Sequence, residues 1–365
     1  MGQGELTGKV QTVLGIIDAD DLGVTLPHEH LLFSGIGQFV EPTEATKKKL
    51  AHQPITLENL HWVLLNRSIS LDNISITDEQ LAIKEALLYK WAGGDTIVEL
   101  TCSSSICRDP LGLARIARAT GLNIVMGSGY YVGAAHPPEL TTKTEEEITE
   151  EIVRDIMVGV GDTGVRAGII GEIGNSVPLQ DNERKVLRAS AAAQRRTGAA
   201  INIHPSFSED LVLEIIKILS DAGADLSRTI ISHIDGGYLQ FSPATLHKIA
   251  DAGCYIESDT FGVAVLPSTP IYMQETEPSL IGRQSEVDRI KTIKRLIDEG
   301  YLNHILISHD VFQKINYVTY GGAGYAHILR NVVPWMRLGG ISDEQIHTII
   351  VENPKRVLPF APVKD

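Results

Sequence analysis

The sequence predicts an α/β fold closed as a (β/α)8 TIM barrel, and two observations predict it. Eight short apolar runs, rich in Ile and Val and without polar alternation, recur along the chain; strands buried on both faces read this way. Amphipathic segments separate them, and most end at glycine. Eight β-α units in one chain of 365 residues fit a closed parallel barrel. The competing doubly wound sheet usually carries a glycine-rich phosphate fingerprint after its first strand, and none is present.

In chain order, the predicted strands are "GVTLPHEH", "DTIVELT", "NIVMGSGYY", "AGIIGEIG", "AAINIHP", "RTIISHID", "CYIESDT" and "HILISHD". The helices between them carry their own boundary signals. "TDEQLAIKEALLYKWAGG" opens on Thr and stops at a Gly pair, and "DPLGLARIARATG" runs from Asp-Pro to Gly121. "TEEEITEEIVRDIMVGV" loads acids into its first turns, where the helix dipole favours them. "DNERKVLRASAAAQRRTG", "SEDLVLEIIKILSDAG", "PATLHKIADAG" and "SEVDRIKTIKRLIDEG" all close at Gly. Two extra helices, "AHILRNVVPWMRLGG" and "SDEQIHTIIVENPKRVL", follow the last strand. Residues 31–76 form a long insert after strand one, and "KVQTVLGII" is expected to pair as a hairpin with the start of that strand. No linker divides the chain, so residues 1–365 are expected to form one barrel domain.

Hydrophobic content of 43% and charged content of 21% are those of a globular protein. A net charge of −14 argues against a nucleic-acid partner, which needs clustered Lys and Arg. Cys102, Cys107 and Cys254 give no disulfide framework or metal-ligand spacing, and a reducing, cytoplasmic setting is expected. The N-terminus lacks a secretory pattern, "MGQGEL" has Leu6 where a myristoylation signal needs Ser or Thr, and no run is long enough to span a membrane.

In such a barrel the chemistry sits at the C-terminal ends of the strands. In "TLPHEHLLF", His28 and His30 are two apart, so a strand turns both to one face and Glu29 to the other. Strand four ends with Glu172, strand five with His204, strand six with His233 and strand eight with Asp310. Alone, each has an ordinary reading as a hydrogen-bonded histidine or a helix-cap acid. Together, at the ends of buried strands, they are costly unless a cation satisfies them. Six ligands exceed one zinc and suit two divalent ions. His28, His30 and Asp310 would hold one, His204 and His233 the other, and Glu172 would bridge them. Two such ions share a hydroxide nucleophile and polarise a carbonyl or phosphoryl oxygen, with Asp310 as the catalytic proton acceptor. Four imidazoles favour zinc; manganese, cobalt and iron also suit mixed N and O ligands.

These motifs, with "GKVQTVLG", "YGGAGYAHIL" and "ENPKRVL", resemble the phosphotriesterase family of the amidohydrolase superfamily over nearly the whole chain, closest to its phosphotriesterase-related branch. The resemblance implies a binuclear metal centre on the same six residues, and it admits a homodimer. Two departures stand out. The founding members bridge their metals with a carboxylated lysine, whereas Glu172 stands here, as in the related branch. They are also thought to relay protons through an Asp to a His; here "HIDGGY" offers Asp235 and then glycines, and "IESDT" holds no His. That ranks efficient phosphotriester hydrolysis lower.

Tyr130 and Tyr131 after strand three, and Tyr320 and Tyr325 in "YGGAGY" after strand eight, are the candidate pocket residues for a small-molecule substrate. "YGGAGY" lacks the Lys-Ser/Thr of a nucleotide loop. No basic cluster follows the ligand strands, which ranks neutral esters above phosphorylated lactones. The sequence therefore predicts a carboxylic-ester or lactone hydrolase with promiscuous action on organophosphorus esters. An N-acyl amidohydrolase of a small acylated amine is the near rival, followed by a phosphotriesterase proper. A ligand-binding protein on a non-catalytic barrel would be expected to show eroded ligands, and all six are intact.

Overall fold

A computed structural model describes residues 6–205, 208–235, 241–263 and 284–363. Residues 1–5, and the Gly236, Gly237 and Tyr238 of "HIDGGY", lie outside the described residues. Twelve strands are found among the described residues. β1 (Lys9–Thr12) and β2 (Gly15–Asp18) form an antiparallel hairpin. β3 (Thr25–Glu29) opens the main sheet; β4 (Phe33–Ser34) and β5 (Ser75–Ile76) pair across the insert. β6 (Thr96–Glu99), β7 (Asn123–Ser128), β8 (Ile169–Gly174), β9 (Ile201–His204), β10 (Thr229–Ile231), β11 (Tyr255–Ser258) and β12 (Ile305–Ile307) complete it.

The eight-stranded sheet runs β3-β6-β7-β8-β9-β10-β11-β12, and every pairing is parallel. Its two ends meet: Asp310 N donates to the His28 carbonyl at 3.3 Å, and His28 N donates to Ser308 Oγ at 3.2 Å. The sheet is therefore the (β/α)8 barrel that the strand count implies. Helices follow the strands, and the one expected to open on Thr77 starts one residue later, at an Asp cap. Asp78 caps helix Glu79–Trp91 and Asp109 caps helix Pro110–Thr120, which ends at Gly121 in the left-handed region. Thr144 and Glu147 close a reciprocal capping box on helix Glu145–Met157.

Two expectations change. The N-terminal hairpin does not pair with the start of β3; the Lys9 carbonyl accepts from Phe360 N at 2.9 Å, and Val13 N donates to the Ile124 carbonyl on β7 at 2.9 Å. Val10 of the hairpin joins Leu22, Val357 and Leu358 in an apolar layer with Val98, Val125, Ile169, Ala200, Ile230 and Leu306. Burying Val10 there outweighs strand addition, and the layer fills the barrel below the site. The two C-terminal helices also break from regular α geometry, with π turns at Ile328–Val332 and Thr348–Glu352. Above the apolar layer the barrel lining turns polar. β7 and β8 approach closely there: a Cβ on Gly127 would lie 2.0 Å from the Gly171 carbonyl oxygen, so only glycine fits. Among the described residues no helix is long and apolar enough to cross a membrane.

Candidate metal centre

The six predicted ligands come together at the C-terminal mouth. His28 lies in β3 and His30 one residue past it; Glu172 lies in β8, and His204 ends β9. β10 and β12 stop short, so His233 and Asp310 sit just beyond the ladder, with φ of 56° and 53°. Side chains rarely hold that backbone region unless the surroundings impose it.

Glu172 is the hub. Its Oε1 lies 2.8 Å from His204 Nδ1, 2.7 Å from His233 Nε2 and 3.5 Å from His28 Nε2. Its Oε2 lies 3.9 Å from His30 Nε2. Asp310 Oδ1 is 3.4 Å from His30 Nε2 and 3.7 Å from His28 Nε2. Glu172 is thereby shared between His204 with His233 on one side and His28 with His30 and Asp310 on the other. The ligand atoms of His28, His30 and Glu172, and those of Glu172, His204 and His233, each fall within 4.8 Å of one another.

The donor set suits divalent cations. His28 Nε2 is buried and has no hydrogen-bond partner, although it faces the two carboxylates. A buried polar atom left so is costly, and a cation among these atoms would satisfy it. A third grouping, His28, His233 and Asp259, also meets the distance condition. We read it as support for the ligands, because Asp259 already accepts from His233 N (3.0 Å) and His233 Nδ1 (2.9 Å).

Each imidazole that turns Nε2 inward is backed by an acid. His28 Nδ1 donates to Glu257 Oε2 at 3.1 Å and His233 Nδ1 to Asp259. His30 Nδ1 meets Thr101 Oγ1 at 3.0 Å, and that hydroxyl donates to Glu99 Oε1 at 2.6 Å. Such outer partners fix ring orientation and raise ligand basicity. Glu29 does the equivalent for Asp310. Its Oε1 accepts from Ser308 Oγ (2.8 Å), His309 N (2.9 Å) and His309 Nδ1 (2.6 Å), and its Oε2 from Val311 N (2.9 Å). The residue between the two histidines thus clamps the turn that carries Asp310.

Electrostatics follow from this crowding of acids. Without metal, burial opposes protonation of His28, but Glu172, Asp259 and Glu257 outweigh it and push its pKa up to about 10. His233 is likewise raised, with burial overcome by Asp259, Glu172 and Asp310. His204 is lowered because burial dominates. Burial would raise Glu172 and Asp310, yet the surrounding histidines hold both below the usual carboxylate range. Burial lifts Asp259 to about 6 against the pull of His233 and His28.

The four tyrosines separate. Tyr131 stands at the cluster, its hydroxyl 3.5 Å from His204 Nδ1 and its ring 5.0 Å from that imidazole. Tyr130 turns away, its hydroxyl donating to Glu151 at 2.6 Å. Tyr325 is fully buried and donates to the His30 carbonyl at 2.6 Å, so it braces the ligand strand from behind. Tyr320 lies beneath the Lys314 ammonium, which is 5.9 Å from the ring centre. Glu99, Thr101, Asp259 and Glu257 are not singled out by the sequence, and Glu29 is marked there only as facing away from the histidines. The spacing of Glu257 and Asp259, two apart in "IESDT", is the same signal that marks His28 and His30.

The phosphotriesterase family model matches residues 8–358. An N-acetyltaurine hydrolase of Dictyostelium discoideum is 40% identical, over 97% of this chain and 98% of that protein. The solved structure of a resiniferatoxin-binding protein from Rhodobacter sphaeroides superimposes with a TM-score of 0.89 at 34% identity, covering 96% of this chain and 95% of that one. A mutant phosphotriesterase-like lactonase from Deinococcus radiodurans gives 0.72 at 25% identity, covering 96% and 99%. With barrel, hub carboxylate and near-complete sequence match in agreement, the chain belongs to the phosphotriesterase family, a family of hydrolases built around a binuclear divalent metal centre.

Proposed function

We propose that this hydrolase cleaves the N-acyl bond of a small acylated amine, with N-acetyltaurine as the first substrate to test. One observation carries the reading: the six-residue cluster sits in a chain 40% identical, end to end, to a protein named N-acetyltaurine hydrolase. This moves the amide reading ahead of the ester or lactone that ranked first on sequence alone.

His28, His30 and Asp310 would hold one divalent ion, His204 and His233 the other, and Glu172 would bridge them; zinc is the first choice. When bound, such a pair polarises the scissile carbonyl and activates water. The chain's own residues supply the rest. Asp310 is the least enclosed of the six, its side chain 13% exposed, and its depressed pKa keeps it ionised. It takes a proton from the attacking water at Oδ and delivers it to the leaving nitrogen. Amide cleavage needs that second transfer, because an unprotonated amide nitrogen leaves poorly. Tyr131, beside His204, would orient the acyl group.

The ester or lactone reading stands second, supported by the likeness to a phosphotriesterase-like lactonase. The deciding experiment is kcat/KM of zinc-loaded protein on N-acetyltaurine, an aryl carboxylic ester, a lactone and a phosphotriester, with Asp310→Asn as blank. Turnover of N-acetyltaurine well above the blank is expected. If it matches the blank while an ester or lactone leads by about tenfold, ~1.4 kcal/mol in the barrier, the amide reading falls.

A further inference from the structure

Glu257 lies in β11, directly beneath the cluster, and is fully buried in the barrel. Its Oε2 collects three donors: Asn202 Nδ2 at 3.0 Å, Ser232 Oγ at 2.7 Å and His28 Nδ1 at 3.1 Å. Its Oε1 has no partner. The layer below is apolar, so packing gives no reason for a carboxylate there. Of the acceptors near His28 Nδ1, Glu257 is the nearest, at 3.1 Å. Ser232 Oγ at 3.2 Å and Asp259 Oδ2 at 3.3 Å both lie farther from that nitrogen than Glu257 does.

We propose that Glu257 is a positioning residue that fixes His28 with its proton on Nδ1, so that the Nε2 lone pair faces the metal centre. His28 Nε2 is the buried atom with no partner, which is the arrangement such a device requires. Because Glu257 contacts no other ligand, it sets affinity on the side formed by His28, His30 and Asp310 and leaves the His204–His233 side unchanged. Asp259 serves His233 in the parallel role, and its Oδ2 also lies 3.3 Å from His28 Nδ1, so Glu257 is the acid particular to His28.

This inference rests on the two-ion reading, and the test separates the two. Zinc affinity and stoichiometry are measured by competition with a chromogenic chelator on purified full-length protein, with the visible spectrum of the cobalt-substituted form as a second readout. Wild type should bind two ions; fewer overturns the two-ion reading and this inference with it. Glu257→Gln should weaken one site by about 10–100-fold and alter the cobalt spectrum, with the other site unchanged. A folded Glu257→Gln that keeps both affinities, or loses both equally, overturns the inference while the two-ion reading stands. If that variant does not fold, Asn202→Ala decides: it removes one donor to Glu257 without touching His28, and the same site should weaken severalfold. Wild-type affinity in Asn202→Ala then overturns the inference.

Discussion

Replacing Glu29 by Gln tests how the turn carrying Asp310 is held. The wild-type carboxylate accepts four hydrogen bonds, three on Oε1 and one on Oε2. Glutamine must place an NH2 group on one side. The cheaper orientation faces Val311 N and sets donor against donor. The charge-assisted bond from Val311 is lost, about 1.5–3 kcal/mol, and its buried N–H is left unpaired, about 1–3 kcal/mol more. A total near 4 kcal/mol, at about 2 °C per kcal/mol for a large chain, lowers Tm by about 8 °C. The strain at Asp310, with φ of 53°, is then no longer fully opposed, and its carboxylate drifts from the cluster. A shift of about 1 Å in a reacting group lowers kcat by about 100-fold. Because Glu29 is buried beneath the ligands and does not reach the open mouth, KM should change little. The assay pairs a thermal melt with steady-state kinetics on N-acetyltaurine. A variant with wild-type Tm and kcat refutes the clamp, and a rise confined to KM would place Glu29 at the substrate instead.

Asp310→Asn should lower kcat by about 10²–10⁴-fold while the protein still folds, because the proton acceptor is lost and the barrel core is untouched; a near-normal rate removes Asp310 from its assigned role. Chelation should lower Tm reversibly, since ions at about 100 times their Kd add about 2.7 kcal/mol per site to the folded state; an unchanged Tm after verified metal removal counts against the centre. In the metal-free protein, His28 is raised from 6.5 to about 10, so its contribution to stability is full below 6.5 and is lost as pH rises through 10. The urea midpoint of that form should fall across this window, and a flat or rising profile contradicts the arrangement of acids around His28.

The barrel was legible because its strands are continuous apolar runs, and continuous apolar runs separated by capped helices leave few alternatives. The gathering of the six candidate residues was legible because strand ends can be read in order, even though His233 and Asp310 lie past the ladder in left-handed backbone. What periodicity could not reveal was long-range pairing. Glu29 was recognised as pointing away from His28 and His30, but its target, residues 308–311, is about 280 positions distant. Glu257 lies in, and Asp259 just past, a strand whose sequence drew notice only for lacking a histidine. The pocket was the weakest reading for a similar reason. Tyr130, Tyr131, Tyr320 and Tyr325 all follow the right strands, yet only the direction of each ring decides whether it meets the site, and loop positions carry no period from which to infer it.

The acids also explain why this barrel mouth can tolerate so much buried charge. Glu172, Glu257, Asp259 and Asp310 surround His28 and His233, and without metal those two imidazoles are held protonated by the acids around them. Protons thus occupy the place that cations would take. Metal ligation would need these imidazoles neutral, so ions bound there would displace the protons from His28 and His233. The buried carboxylates that remain are then balanced by the metal charge rather than by imidazolium. Glu29 differs in kind: four protein donors satisfy it in place, and no change at the centre needs to move it. The fixed acid holds the turn, and the exchangeable protons leave a site of net negative charge that divalent cations are suited to fill.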